Sequence, residues 1–109
     1  MPFNTNKYLE NNYETSICMG DFGVIRTERL ELNNGVLLSL QASEGHLCSP
    51  RSAFGPYTNI EVGFMSGMYS PFYTAFHKEF EQYYLGEYVY GQVPVTLLDK
   101  YINKIGVKQ

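Results

Sequence analysis

His46 and Cys48 stand two residues apart in the stretch Ser43-Glu44-Gly45-His46-Leu47-Cys48-Ser49-Pro50-Arg51-Ser52-Ala53-Phe54-Gly55-Pro56. On a locally extended chain two such side chains point the same way, and an imidazole beside a thiol can take its proton to leave a thiolate nucleophile. A working cysteine enzyme also needs a group that orients the histidine and donors that hold an oxyanion. No Asn, Asp or Glu is placed by a motif for the first task, and no signature marks the second. The reading preferred for the pair is a small buried thiol and a loop histidine bonded to the backbone; a small cysteine-dependent enzyme is the alternative.

Arg51 follows Ser49-Pro50, a rigid turn that sets its direction. A guanidinium beside the hydroxyls of Ser43, Ser49 and Ser52 and the backbone amides of Gly45 and Gly55 can hold a phosphate or a carboxylate, since its fork of donors fits either bidentately. With Phe54 and Tyr57 to stack on a base, the loop suits a small nucleotide. The candidate ligand-binding set is therefore Ser43, His46, Ser49, Arg51, Ser52 and Tyr57. The competing reading is that Arg51 pairs with Glu44 or Glu61 and staples the loop.

Other combinations carry less. Cys18, His46, Cys48 and His77 have the right count for a tetrahedral zinc site, but only His46 and Cys48 are close and the short paired spacings of structural zinc motifs are missing. No metal and no cofactor is expected. Glu28 with Glu31, and Glu79 with Glu81, are not spaced as an acid/base pair and read as solvated faces. Asp21-Phe22-Gly23 spells a kinase motif in a chain with no room for the other kinase parts.

The elements that must position this loop are two strands. In Val36–Ala42 the even positions Val36, Leu38, Leu40 and Ala42 are apolar, and in Asn59–Phe64 the even positions Ile60, Val62 and Phe64 are; a period of two is the mark of a half-buried strand. Val24–Leu32 reads as a further strand, and Asn33-Asn34-Gly35 as a type I′ hairpin turn that pairs Arg26–Leu32 with Val36–Ala42. Tyr57–Met65 returns antiparallel to Val36–Ala42. Ser16–Met19 is a short apolar piece running into a Gly20-Asp21-Phe22-Gly23 turn. Residues 1 to 15, with Asn4, Asn6, Asn11 and Asn12, show no sustained period and read as a loosely ordered lead-in.

Two helices follow. Ser70 as N-cap and Pro71 at the first helical position open one, with Phe72, Phe76, Phe80 and Tyr83 on one face, His77, Lys78, Glu81 and Gln82 on the other, and Gly86 at its end. Glu87–Val93 reads as a strand. Pro94 opens a second helix with Leu98, Tyr101, Ile102 and Ile105 on its apolar face and Gly106 as the C-terminal cap. The expected fold is α+β: an antiparallel β-meander of three to five strands packed with two short helices. There is no internal repeat and no low-complexity segment.

The 109 residues fit one domain, and a 44% share of hydrophobic residues supports one modest core. Eleven acidic against eight basic residues give a net charge of -3, so no strong positive field exists for phosphate backbones and direct nucleic-acid binding is not expected. The longest apolar run is far short of the roughly 20 residues that span a bilayer, and the N-terminus shows no signal-peptide pattern. A cytoplasmic protein with free thiols is expected. Ten Tyr and seven Phe without Trp suit interface-making, since tyrosine covers area at low entropic cost; a homo-oligomer is expected.

Leu40-Gln41-Ala42-Ser43, Cys48-Ser49-Pro50-Arg51, Tyr57 to Phe64 and Val93-Pro94 together resemble small uncharacterised proteins encoded by bacteriophages. The resemblance runs over about residues 38 to 105 and brings no catalytic residue with it. It implies a compact phage or mobile-element accessory protein in the host cytoplasm, a class that binds a host protein or sequesters a host signal molecule. The expectation is a non-enzymatic binder of a host target, such as an inhibitor of a defence component; its partner is a host protein or a small anionic ligand.

Overall fold

The computed structural model describes residues 2–11, 29–43, 46–52, 55–67 and 69–108. In chain order they form α1 (Thr5–Asn11), β1 (Leu30–Glu31), β2 (Leu37–Gln41), β3 (Asn59–Phe64), α2 (Tyr73–Phe80), β4 (Tyr84–Gly86), β5 (Val89–Pro94) and α3 (Val95–Ile105). The strands make one antiparallel sheet in the order β1-β2-β3-β5-β4. This is the expected α+β class, with five strands and three helices among the described residues.

Register follows from burial. Leu38 faces Phe64, Leu40 faces Val62, Ile60 faces Val93 and Val62 faces Tyr90, and each of these side chains is at most 1% exposed. Burying one large aliphatic or aromatic side chain stabilises by about 1.5–3 kcal/mol. A slip of one residue would turn the whole set out to water, so the pairing is strongly specified. Phe76 and Phe80 of α2, Leu98, Tyr101 and Ile102 of α3, and Leu9 of α1 complete the same core.

The hairpin between β1 and β2 forms where expected but with a different turn. Gly35 N–H donates to Leu32 O at 2.9 Å and Leu32 N–H to Val36 O at 2.8 Å. Of Asn33, Asn34 and Gly35 only the glycine has positive φ, at 87°. The turn is thus of the three-residue kind with glycine in the left-handed position, and not type I′. Of the expected Val24–Leu32 strand, Leu30–Glu31 is observed; 24–28, the 16–19 piece and the 20–23 turn lie outside the described residues.

The start of the chain departs from expectation. In place of a loose lead-in, Thr5–Asn11 is helical with Thr5 and Leu9 buried. Its order comes from long-range bonds. Thr5 N–H donates to Asp99 Oδ1 at 2.7 Å and the Thr5 hydroxyl donates to the same oxygen. Asn6 clamps the backbone of Tyr57 from both sides, at 2.9 and 2.6 Å, and Asn103 holds Phe3 at 2.6 and 2.9 Å.

α2 begins at Tyr73, two residues past the expected Pro71, with Phe72 N–H donating to Ser70 Oγ at 3.2 Å. The α-helix stops at Phe80 and tightens into a 3₁₀ turn over Glu81–Tyr83 instead of running to Gly86, because Tyr84 and Gly86 are drawn into pairing with Tyr90 and Val89. The hairpin that joins β4 to β5 puts Glu87 and Tyr88 at φ 52° and 66°, a left-handed pair without Gly or Asn to announce it. Phe64 N–H donates to Tyr88 O at 2.9 Å and the Tyr88 ring meets Tyr73 at 5.5 Å, which hold the turn in place. α3 matches expectation, ending on Gly106 at φ 93° with its N–H bonded to Ile102 O at 2.7 Å. No helix among the described residues is long and apolar enough to cross a membrane.

Candidate functional site

The loop between β2 and β3 is bound down at Leu47, Cys48 and Ser49. Ser49 bridges to Asn59, with Ser49 N–H donating to Asn59 O at 3.0 Å and Thr58 N–H to Ser49 O at 2.8 Å. Gln92 of β5, at φ 53°, ties the other side. Its backbone N–H reaches Leu47 O at 3.1 Å, its amide nitrogen Cys48 O at 3.1 Å, and its amide oxygen accepts from Ser49 Oγ at 2.8 Å. Sequence reasoning missed Gln92 as it missed Asn6: one amide side chain in a strand, or in an Asn-rich start, carries no mark of the loop it will hold.

Within the loop the candidate residues are brought near one another but are largely spent on the loop itself. Ser43 is 0% exposed, and its hydroxyl meets His46 Nδ1 at 2.7 Å. Tyr57 is 2% exposed and donates its hydroxyl proton to Ser52 O at 2.7 Å; its ring is inside and presents no face for stacking a base. Ser49 is half-buried against Gln92. Phe54, Glu44 and Gly45 lie outside the described residues.

Cys48 is a free thiol, 1% exposed. It donates to Ser43 O at 3.2 Å and lies 3.4 Å from Pro50 O, while His46 Nδ1 is taken by Ser43. Burial pushes the thiol pKa up; the backbone hydrogen bonds and the Arg51 charge pull the other way and are outweighed. A protonated, buried thiol is a poor nucleophile. Iodoacetamide at neutral pH should therefore label Cys48 slowly in the folded chain and quickly in urea. Rapid labelling of the native protein would contradict this geometry and restore the enzyme reading.

Arg51 is exposed and uses Nε to donate to His46 O at 3.3 Å. Glu61, one of its expected ionic partners, instead accepts the Leu47 N–H at 3.3 Å. Among the described residues the ion pair present is Lys108 with Glu31, at 3.0 Å. The terminal nitrogens of the Arg51 guanidinium are thus not committed to a carboxylate there. Of the four zinc-count residues, Cys18 lies outside the described residues, and no three His, Cys, Asp or Glu side chains gather among them.

His77, expected on the solvated face of its helix, is half-buried in a second cluster of polar aromatics. Its Nδ1 lies 2.8 Å from the hydroxyl of Tyr90, and its ring packs at 5.6 Å from Tyr73 and 4.8 Å from Tyr84. Burial raises the pKa values of Tyr73 and Tyr90, so both stay neutral hydrogen-bonding groups at physiological pH. Tyr84 of β4 rests on this cluster. Compared with family models, with curated proteins and with solved structures, the chain matches none.

Proposed function

We propose that this chain is a small non-enzymatic binding protein, of the phage or mobile-element accessory type, that acts by docking onto a host protein such as a defence component. The observation that carries the reading is where its exposed apolar side chains fall. Met65 (40% exposed), Tyr69 (95%), Phe72 (38%), Tyr84 (38%) and Leu85 (59%) are the exposed large hydrophobic residues among those described, and they lie within one span of 21 positions, from 65 to 85. Interface centres are built on exposed apolar and aromatic side chains, which is what these five residues offer. The buried thiol at Cys48 weighs against the enzyme alternative. Immobilised wild-type chain should recover a discrete host protein from bacterial lysate, and Leu85→Lys should lose it; recovery of nothing but the bait would refute the reading.

A second reading, capture of a small anion such as a nucleotide in the loop between β2 and β3, is favoured by an exposed Arg51 whose terminal nitrogens pair with no carboxylate among the described residues. It predicts that a nucleotide raises the thermal midpoint of the wild type and not of Arg51→Ala. The absence of any shift across a nucleotide panel would remove it.

A further inference from the structure

Among the described residues β4 is an outer strand, paired on one side with β5. Its three residues, Tyr84-Leu85-Gly86, include no charge and no proline, two of the devices that keep an edge from recruiting another strand, while the strand is short and its register shifts between Tyr84 and Gly86. Leu85 lies across Gly91, where a Cβ would stand 2.7 Å from Leu85 Cδ1 and 3.1 Å from Leu47 Cδ1. The missing side chain lets Leu85 lie low on the sheet while remaining 59% exposed. Tyr84 rests on His77 and Tyr90, with ring centroids 4.8 and 5.0 Å away.

Carboxylates flank this strand in sequence, Glu79 and Glu81 before it and Glu87 after it, with Lys78 the one Lys or Arg from 73 to 93; Arg51 stands on the loop whose Leu47 meets Gly91 beside Leu85. Glu79, Glu81 and Glu87 are exposed, and Glu79 and Glu81 line an open depression with Lys78 and Gln82 where α2 leads into β4. A second copy brought to the same edge would set like carboxylates against each other; a cationic partner would be drawn in.

We propose that β4 is a docking edge for an extended basic segment of a partner protein. The segment adds as a strand alongside Tyr84–Gly86, lays an apolar side chain on Leu85, and sets Lys or Arg against Glu81 and Glu87. Main-chain hydrogen bonds supply affinity, and alternate side chains supply specificity. This deepens the binding reading above and rests on it.

The test uses the full chain and a fluorescent extended peptide that alternates Val with Arg, its Val–Glu counterpart, and a Val–Arg peptide N-methylated along one edge. Anisotropy at low salt should show binding of the Val–Arg peptide alone. Binding should weaken about tenfold in Leu85→Lys and by a similar factor in the Glu81→Lys/Glu87→Lys double variant, with circular dichroism confirming that each variant is folded. Equal binding of the Val–Glu peptide, or undiminished binding of the N-methylated one, overturns the proposal. So does failure of the Val–Arg peptide to bind. In that last case, recovery of a host protein from lysate by the wild type leaves the binding reading standing, and recovery of nothing removes both.

Discussion

Phe76→Ala is expected to lower the free energy of unfolding by about 3–5 kcal/mol, the usual cost of emptying a large aromatic site in a core. Phe76 is 0% exposed. Its ring lies 4.9 Å from Phe64, 4.6 Å from Phe80, 5.2 Å from Tyr90 and 5.3 Å from Tyr101, the last two edge-on. One side chain thus joins β3, β5, α2 and α3, and each aromatic pair contributes about 0.5–1.5 kcal/mol beyond area burial. The neighbouring rings are fixed by their own elements and cannot all collapse into the space. Domains of this size have about 5–15 kcal/mol in total, so the variant should be partly unfolded at modest urea. Phe72→Ala, at a residue 38% exposed, should cost less than about 0.5 kcal/mol. Urea midpoints that fail to separate the two variants would contradict the packing described.

Asp99→Ala is the second large effect, expected at about 1.5–3 kcal/mol, because it removes a charged acceptor from two donors at once. Thr5, which supplies both donors, is 0% exposed, so water cannot replace the lost oxygen without the start of α1 moving. The loss should be local. Amide exchange in α1 should speed up well before that in β2 and β3, and a protease should cut near Asn11 in the variant first. Uniform exchange across the molecule would mean that α1 is not held through Asp99.

These two sites mark what the sequence makes readable and what it hides. β2, β3 and α3 follow from alternation and helical spacing because nearly all of their information is local: Leu38, Leu40, Ile60 and Val62 recur at every second position around Ser39 and Glu61, and Gly106 closes α3 with a positive φ. α1 is different in kind. Its short Asn-rich segment has little helical preference of its own, and order comes from Asp99, Asn103 and Tyr57, about 50 to 100 positions away in sequence. The end of α2 was obscured similarly, since Gln82-Tyr83-Tyr84-Leu85 continues a helical pattern until strand pairing with β5 takes it. Glu87 and Tyr88 turn the chain in a left-handed conformation that their types do not advertise.

The candidate loop was legible in part. Arg51 stands out after Ser49-Pro50 and is exposed, whereas the inward placing of Ser43 and Tyr57 depends on Gln92 and Asn6 reaching in from distant elements. The exposed apolar residues between Met65 and Leu85 were harder to see. Phe72 has the residue type and spacing of the Phe76 and Phe80 face but lies before α2 and is 38% exposed, and Leu85 falls in β4 and is 59% exposed.

The most direct test of the central claim is calorimetric titration of the recovered host partner against three proteins: wild type, Leu85→Lys and Arg51→Ala. Docking through the exposed apolar residues, Leu85 among them, predicts that Leu85→Lys binds at least about tenfold more weakly while Arg51→Ala binds like the wild type. Unchanged binding by Leu85→Lys together with loss in Arg51→Ala would contradict the account and move the site to the loop between β2 and β3.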